Sequence, residues 1–199
     1  HRVLGRAIGR MFVVPFWYFW IVGRIQRPQR SRFLIALALG GSQGLLGWFM
    51  VKSGLVDRPS VSHFRLAAHL CLALFILAYV FDLVLSLSTQ QSTAASGGLR
   101  RIVQIFTLLL VAQLIYGGFT AGLKAGLGFN TYPKMGDTWI AEAALTLAPF
   151  WLNWFENGAM IQFIHRWLGL AVLVAAAVTL GAALSLSLIH ISEPTRRTP

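Results

Sequence analysis

The chain is 199 residues long, 56% apolar and 12% charged, with a mean hydropathy of +0.67. A soluble domain runs at roughly 45–50% apolar and about 25% charged, so the composition excludes a soluble enzyme and a disordered tail. The net charge of +11 sits between apolar runs and not along one polar face, which argues for a membrane protein and against a nucleic-acid partner.

A spanning helix needs roughly 20 mostly apolar residues, and five stretches are read as spans. The first, Val3–Val22, is the least clean: it holds Arg6 and Arg10, and its uncharged part is only Met11–Gly23. Pro15 lies inside it, which neighbouring helices can accommodate. Arg2, Arg6 and Arg10 share one helical face, expected to turn into the protein. The connection Arg24–Arg32 carries Arg24, Arg27, Arg30 and Arg32 with no acid, and the positive-inside rule places it in the cytoplasm or its equivalent. Phe33–Val51 is uncharged and ends in an outer connection, Lys52–Arg65. The third span, Leu66–Leu87, carries only Asp82, near its inner end, where an interfacial role is expected. It also holds Cys71, the one cysteine, which reads as a small buried hydrophobe and excludes a disulfide framework.

Ser88–Gly98 is rich in Ser, Thr, Gln and Gly and reads as a flexible linker between two halves, followed by Arg100 and Arg101. The fourth span, Ile102–Leu123, is uncharged. The long outer connection Lys124–Ala159 has an apolar, aromatic centre, Thr138–Phe155, read as an interfacial segment that either covers the bundle mouth or anchors in lipid. Asn130 and Pro133 would shape a turn at its start. Trp167–Ile189 is the fifth span. Gln43, Gln113 and Gln162 are expected to hydrogen-bond between helices. Counting Lys and Arg on the two sides gives a tie, because Lys52, Arg58, Arg65, Lys124, Lys134 and Arg166 all fall outside. The outer arginines therefore need a reason of their own.

Alternation of the spans across the membrane brings His1, His69 and His165 to the same outer side, with His69 about 10 Å below the start of its helix. One histidine near a helix end is ordinarily an interfacial side chain; three at matching depth point to metal or heme ligation. Two imidazoles facing each other across a bundle suit six-coordinate heme iron, whereas zinc wants a third and fourth ligand. Heme propionates need cationic partners, and Arg2, Arg65 and Arg166 sit at that edge; lipid headgroup phosphates are the alternative. The chain also echoes itself. His1-Arg2-Val3-Leu4-Gly5 matches His165-Arg166-Trp167-Leu168-Gly169 at four of five positions, and Lys52-Ser-Gly-Leu55 resembles Lys124-Ala-Gly-Leu127, as an internal duplication would produce.

Five motifs carry a family resemblance. They are His1-Arg-Val-Leu-Gly-Arg-Ala-Ile-Gly9, Gly41-Ser-Gln-Gly-Leu-Leu-Gly-Trp-Phe-Met-Val-Lys-Ser-Gly-Leu55, Val61-Ser-His-Phe-Arg-Leu-Ala-Ala-His-Leu70, Ala121-Gly-Leu-Lys-Ala-Gly-Leu-Gly-Phe-Asn-Thr-Tyr-Pro-Lys-Met135 and Phe155-Glu-Asn-Gly-Ala-Met-Ile-Gln-Phe-Ile-His-Arg166. In this order, over about residues 1–186, they resemble helices two to six of the heme A synthase family, in its mitochondrial and alphaproteobacterial branch. The resemblance implies an all-α integral membrane protein, in which the five spans belong to an eight-helix protein of two pseudo-symmetric four-helix bundles. It divides this chain into an N-terminal half-bundle over 1–89 on the substrate-heme side, a cytoplasmic linker over 90–101, and the start of a cofactor-heme bundle over 102–186, with the outer loop at 124–159.

The activity it implies is oxidation of a methyl group of heme O to a formyl group, giving heme A for cytochrome oxidase assembly. By this resemblance His1 and His69 ligate the substrate heme, His165 is one ligand of a heme b cofactor, and Arg2, Arg65 and Arg166 meet the heme edge. Heme O is the substrate; heme O synthase and an electron acceptor are partners, and the setting is a bacterial plasma membrane or mitochondrial inner membrane. The family glutamate expected three positions before His1 lies upstream of this sequence, so no catalytic residue is assigned, and the chain reads as an inactive piece of a longer protein. Residues 187–199, with His190, resemble a translated cloning adapter and are set aside as non-native. The competing readings are a non-catalytic di-heme cytochrome b for electron transfer and a transporter without heme.

Overall fold

A computed structural model describes residues 2–54, 62–87 and 96–192, with the side chains of Arg2, 53–54 and 187–192 outside the description. His1 and the Ser88–Ala95 part of the expected linker therefore lie outside the described residues. The chain divides into two compact units, His1–Gln91 and Ser92–Pro199.

The first unit holds α1 (Arg2–Ile21), α2 (Arg27–Gly54) and α3 (His63–Leu87). Helix α1 stops where Gly23 takes φ +69°, the left-handed value that glycine adopts without a Cβ clash. There the Arg24 amide reaches back to the Phe19 carbonyl at 2.9 Å and the Gly23 amide to Trp20 at 3.2 Å, which closes the helix as a Schellman motif. Phe16 is buried, with Phe12, Trp17, Trp20 and Phe33 around it at ring separations of 5.3–6.4 Å, and it joins α1 to α2. The Arg30 guanidinium lies 5.1 Å over the Trp20 ring. Helices α2 and α3 run antiparallel. At their inner end Arg32 pairs with Asp82, and the Tyr79 hydroxyl donates to the Arg32 carbonyl at 3.0 Å. Asp82 thus belongs to the inner boundary, as its position near the span end predicts.

The second unit holds α4 (Gly97–Gly122), a short α5 (Asn153–Glu156) and α6 (Gly158–Ser192), with single 3₁₀ turns at Ala125–Leu127, Glu142–Leu145 and Phe150–Leu152. Ser96 caps α4 by accepting from the Leu99 amide. Helices α4 and α6 are packed antiparallel along the unit. No strand occurs among the described residues beyond an isolated bridge between Met135 and Thr138.

Four helices are long and apolar enough to cross a membrane: Arg27–Lys52, His63–Leu87, Gly97–Gly122 and Gly158–Leu186. Their flanks are lined with exposed apolar side chains such as Phe75, Leu108 and Leu180, as lipid-facing surfaces are, and this is a multi-pass membrane protein. All five expected helices form. Helix α1 does not reach the same apolarity, because Arg2, Arg6 and Arg10 occupy its first half. Its arginine face also departs from expectation: Arg6 and Arg10 are exposed and not turned inward, since α1 meets the unit through its Phe16 end.

Candidate functional site

His69 and His165 occupy matching positions along their own helices. His69 is 6 residues into α3, counted from His63, and His165 is 7 residues into α6, counted from Gly158, or about 9 and about 10 Å along their axes. Both are half-buried, and each lies against a glycine of the neighbouring helix. A Cβ on Gly47 of α2 would stand 3.1 Å from His69 Cε1, and one on Gly117 of α4 would stand 3.2 Å from His165 Cε1. Four residues before each glycine, on the same helical face, is a glutamine. The Gln43 amide donates to the His69 carbonyl at 3.1 Å and comes within 3.3 Å of its Nε2. Gln113 Nε2 stands 3.2 Å from where a Cβ on Gly169 would be, one turn after His165.

The imidazole Nδ1 atoms of His69 and His165 and the amide oxygens of Gln43 and Gln113 are buried without a hydrogen-bond partner. Orphaned polar atoms of this kind cost about 1–3 kcal/mol each; with the Gln162 amide oxygen they make five, of which an amide and an imidazole recur on both hairpins. Among the described residues no group of three or more His, Cys, Asp and Glu could hold a metal ion. One half-buried imidazole set against a glycine in each unit, His69 and His165, fits ligation of a heme iron and does not fit zinc, which takes three or four protein ligands. Neither of two apolar cavities, of about 420 Å³ in the first unit and about 540 Å³ in the second, is lined by a histidine; the chemistry-bearing positions lie on the helix contacts.

Of the other site residues, His1 and the Arg2 side chain lie outside the described residues. The Arg65 guanidinium lies 4.7 Å over the Phe49 ring. Arg166 donates to the backbone carbonyls of Phe129, Thr131 (2.6 Å) and Lys134 (3.4 Å). Gln162 donates to the same Phe129 carbonyl at 2.8 Å, a helix-to-loop bond where a helix-to-helix one is predicted. His63 is buried at the first position of α3 with its ring 4.1 Å from Phe64. Sequence reasoning passed over it; its signal was a second histidine six positions before His69.

The outer connection is a built cover on α6. Asn153 is fully buried: its side chain accepts from the Leu147 amide at 3.0 Å and donates to the Leu147 and Phe150 carbonyls at 3.0 and 2.9 Å. Asn157 donates to Asn153 Oδ1 and to the Ala143 carbonyl, and its own Oδ1 caps α6 by accepting from Ala159 and Met160. Thr131 Oγ1 accepts from Gly136 at 2.7 Å to close the turn around Pro133. Trp151, Trp154, Phe150 and Phe155 remain exposed on this cover, the disposition of an interfacial aromatic segment. The two asparagines, four residues apart in an aromatic run, were the overlooked signal that this run folds on itself.

The family described as cytochrome oxidase assembly protein, COX15-CtaA, matches residues 1–197. The chain is 45% identical over 181 residues to a heme A synthase of Wolbachia sp. subsp. Brugia malayi, covering 89% of this chain and 54% of that protein. It is 42% identical over 180 residues to a heme A synthase of Rhodospirillum centenum (89% and 48%) and 42% over 178 residues to one of Mesorhizobium japonicum (89% and 49%). The chain spans about half the length of the curated relatives it matches. No solved structure matches it.

Proposed function

Because the chain belongs to the COX15-CtaA family of cytochrome oxidase assembly proteins, we propose that it forms helices two to six of a bacterial plasma-membrane oxidoreductase that converts heme O into heme A. The observation that carries this reading is the pair of half-buried imidazoles, His69 and His165, each set against a glycine of its neighbouring helix with an unpartnered Nδ1. Relatives of 42–45% identity that bear the name heme A synthase supply the reaction class.

In this reading His69, with His1, holds the heme O substrate in the first unit. The reaction turns a methyl group into a formyl group. Its balance is one methyl and one water giving one aldehyde, four protons and four electrons, the oxygen entering by successive hydroxylation and the electrons leaving to an acceptor. His165 is one ligand of a heme b, whose second histidine belongs to a later helix of the family. Heme b supplies one-electron redox chemistry when bound. Arg65 contributes positive charge near the substrate heme edge, together with Arg2. Arg166 spends three of its five N–H donors on loop carbonyls, and its charge and remaining donors serve a propionate. The outer cover closes the mouth above His165, keeping water from the heme edge and leaving the aromatic rim in the headgroup layer.

The test is expression of the full-length protein in cells that supply heme O, followed by heme extraction and chromatography. Heme A is the expected product. Bound b-type heme with no heme A would instead mark an electron-transfer cytochrome, and a purified protein with no Soret band would remove heme from the account altogether.

A further inference from the structure

We propose that the two Gln-x-x-x-Gly steps, Gln43 with Gly47 and Gln113 with Gly117, are a duplicated positioning device that sets the plane of each ligating imidazole. The inference rests on the heme reading above, but it concerns residues that neither ligate iron nor touch the reacting methyl group.

The two steps are built alike on hairpins of the same sense. In each, the helix entering the outer loop, α2 or α4, carries the glutamine and the glycine one turn apart, and the helix leaving the loop, α3 or α6, carries the histidine. Among the described glycines, only Gly47 and Gly117 would meet an imidazole with an added Cβ. At 3.1 and 3.2 Å that contact is closer than carbon atoms pack, so a methyl group at either position displaces the ring by a few tenths of an ångström. Each glutamine bounds the same site one turn inward. Gln43 grips the His69 carbonyl and stands beside the ring at Nε2; Gln113 lies against the bare backbone of Gly169, one turn after His165. A ring whose Cε1 edge abuts a glycine, with a glutamine one turn away on the same helix, has little freedom to turn about its χ2 bond. Groups that fix ligand orientation in this way tune the metal they do not touch, and their loss typically costs about 10–100-fold in affinity or activity while shifting its redox and spectroscopic properties.

The closing experiment uses the full-length protein purified from membranes and loaded with heme, so that the heme of the untouched half reports on folding. Gln113→Leu and Gly117→Ala are each expected to retain heme at His165 while shifting its EPR g values and midpoint potential, and to leave the heme at His69 unchanged. Gln43→Leu and Gly47→Ala should do the converse. Should Gln113→Leu lose both hemes by misfolding, the nearly isosteric Gln113→Met carries the same measurement. If His165→Ala abolishes that heme signal but the glutamine and glycine variants keep the parental g values and potential, the positioning role is wrong and the heme reading stands. If His165→Ala leaves the heme content unchanged, the heme reading itself fails.

Discussion

Asn153 is a centre of the connection that packs on α6, because it is fully buried and bonds to three backbone groups of the segment Leu147–Phe150. Asn153→Leu has similar bulk but takes the side-chain partner from the Leu147 amide and carbonyl, at about 1–3 kcal/mol for each. Limited proteolysis should then cut between residues 140 and 155, where the parent chain resists. Arg166→Lys keeps the charge but loses the planar fork that spans the carbonyls of Phe129 and Thr131. The turn at Thr131–Gly136 should loosen while heme content at His165 is retained, read by hydrogen exchange of the Met135 and Gly136 amides. His165→Ala removes the imidazole from the Gly117 cradle and should lower heme by one per chain, measured as pyridine hemochromogen.

At the scale of elements, apolar length decides which segments are helices. A backbone in lipid must satisfy its polar groups internally, so a run of about 20 uncharged residues has few alternatives, and α2, α3, α4 and α6 follow from hydropathy alone. Helix α1 was harder to read because Arg2, Arg6 and Arg10 weaken that signal; its end is set instead by Gly23. Gly23→Ala forces a Cβ into φ +69° at a cost of about 1–2 kcal/mol and should lower the thermal unfolding midpoint in detergent. The Arg32–Asp82 pair joins α2 to α3, but its side chains are 34% and 70% exposed. Such a pair contributes at most about 1 kcal/mol, so Asp82→Asn should move that midpoint less than Gly23→Ala does.

At the scale of the whole molecule, each of the two units carries one half-buried histidine on the helix that leaves its outer loop. Composition and alternation alone determined that the chain crosses a membrane several times and that a long aromatic loop follows Lys124. These properties depend on counts and on order along the chain, which the sequence states directly. The tertiary structure decided the rest. It placed Gly47 against His69 and Gly117 against His165, put Arg166 on loop carbonyls, and made Asn153 and Asn157 the hub of the cover. Periodicity shows which residues share a face of one helix, but not which face of another helix they meet. That register follows from packing between helices distant in sequence, where the absence of one methyl group at a glycine makes room for an imidazole.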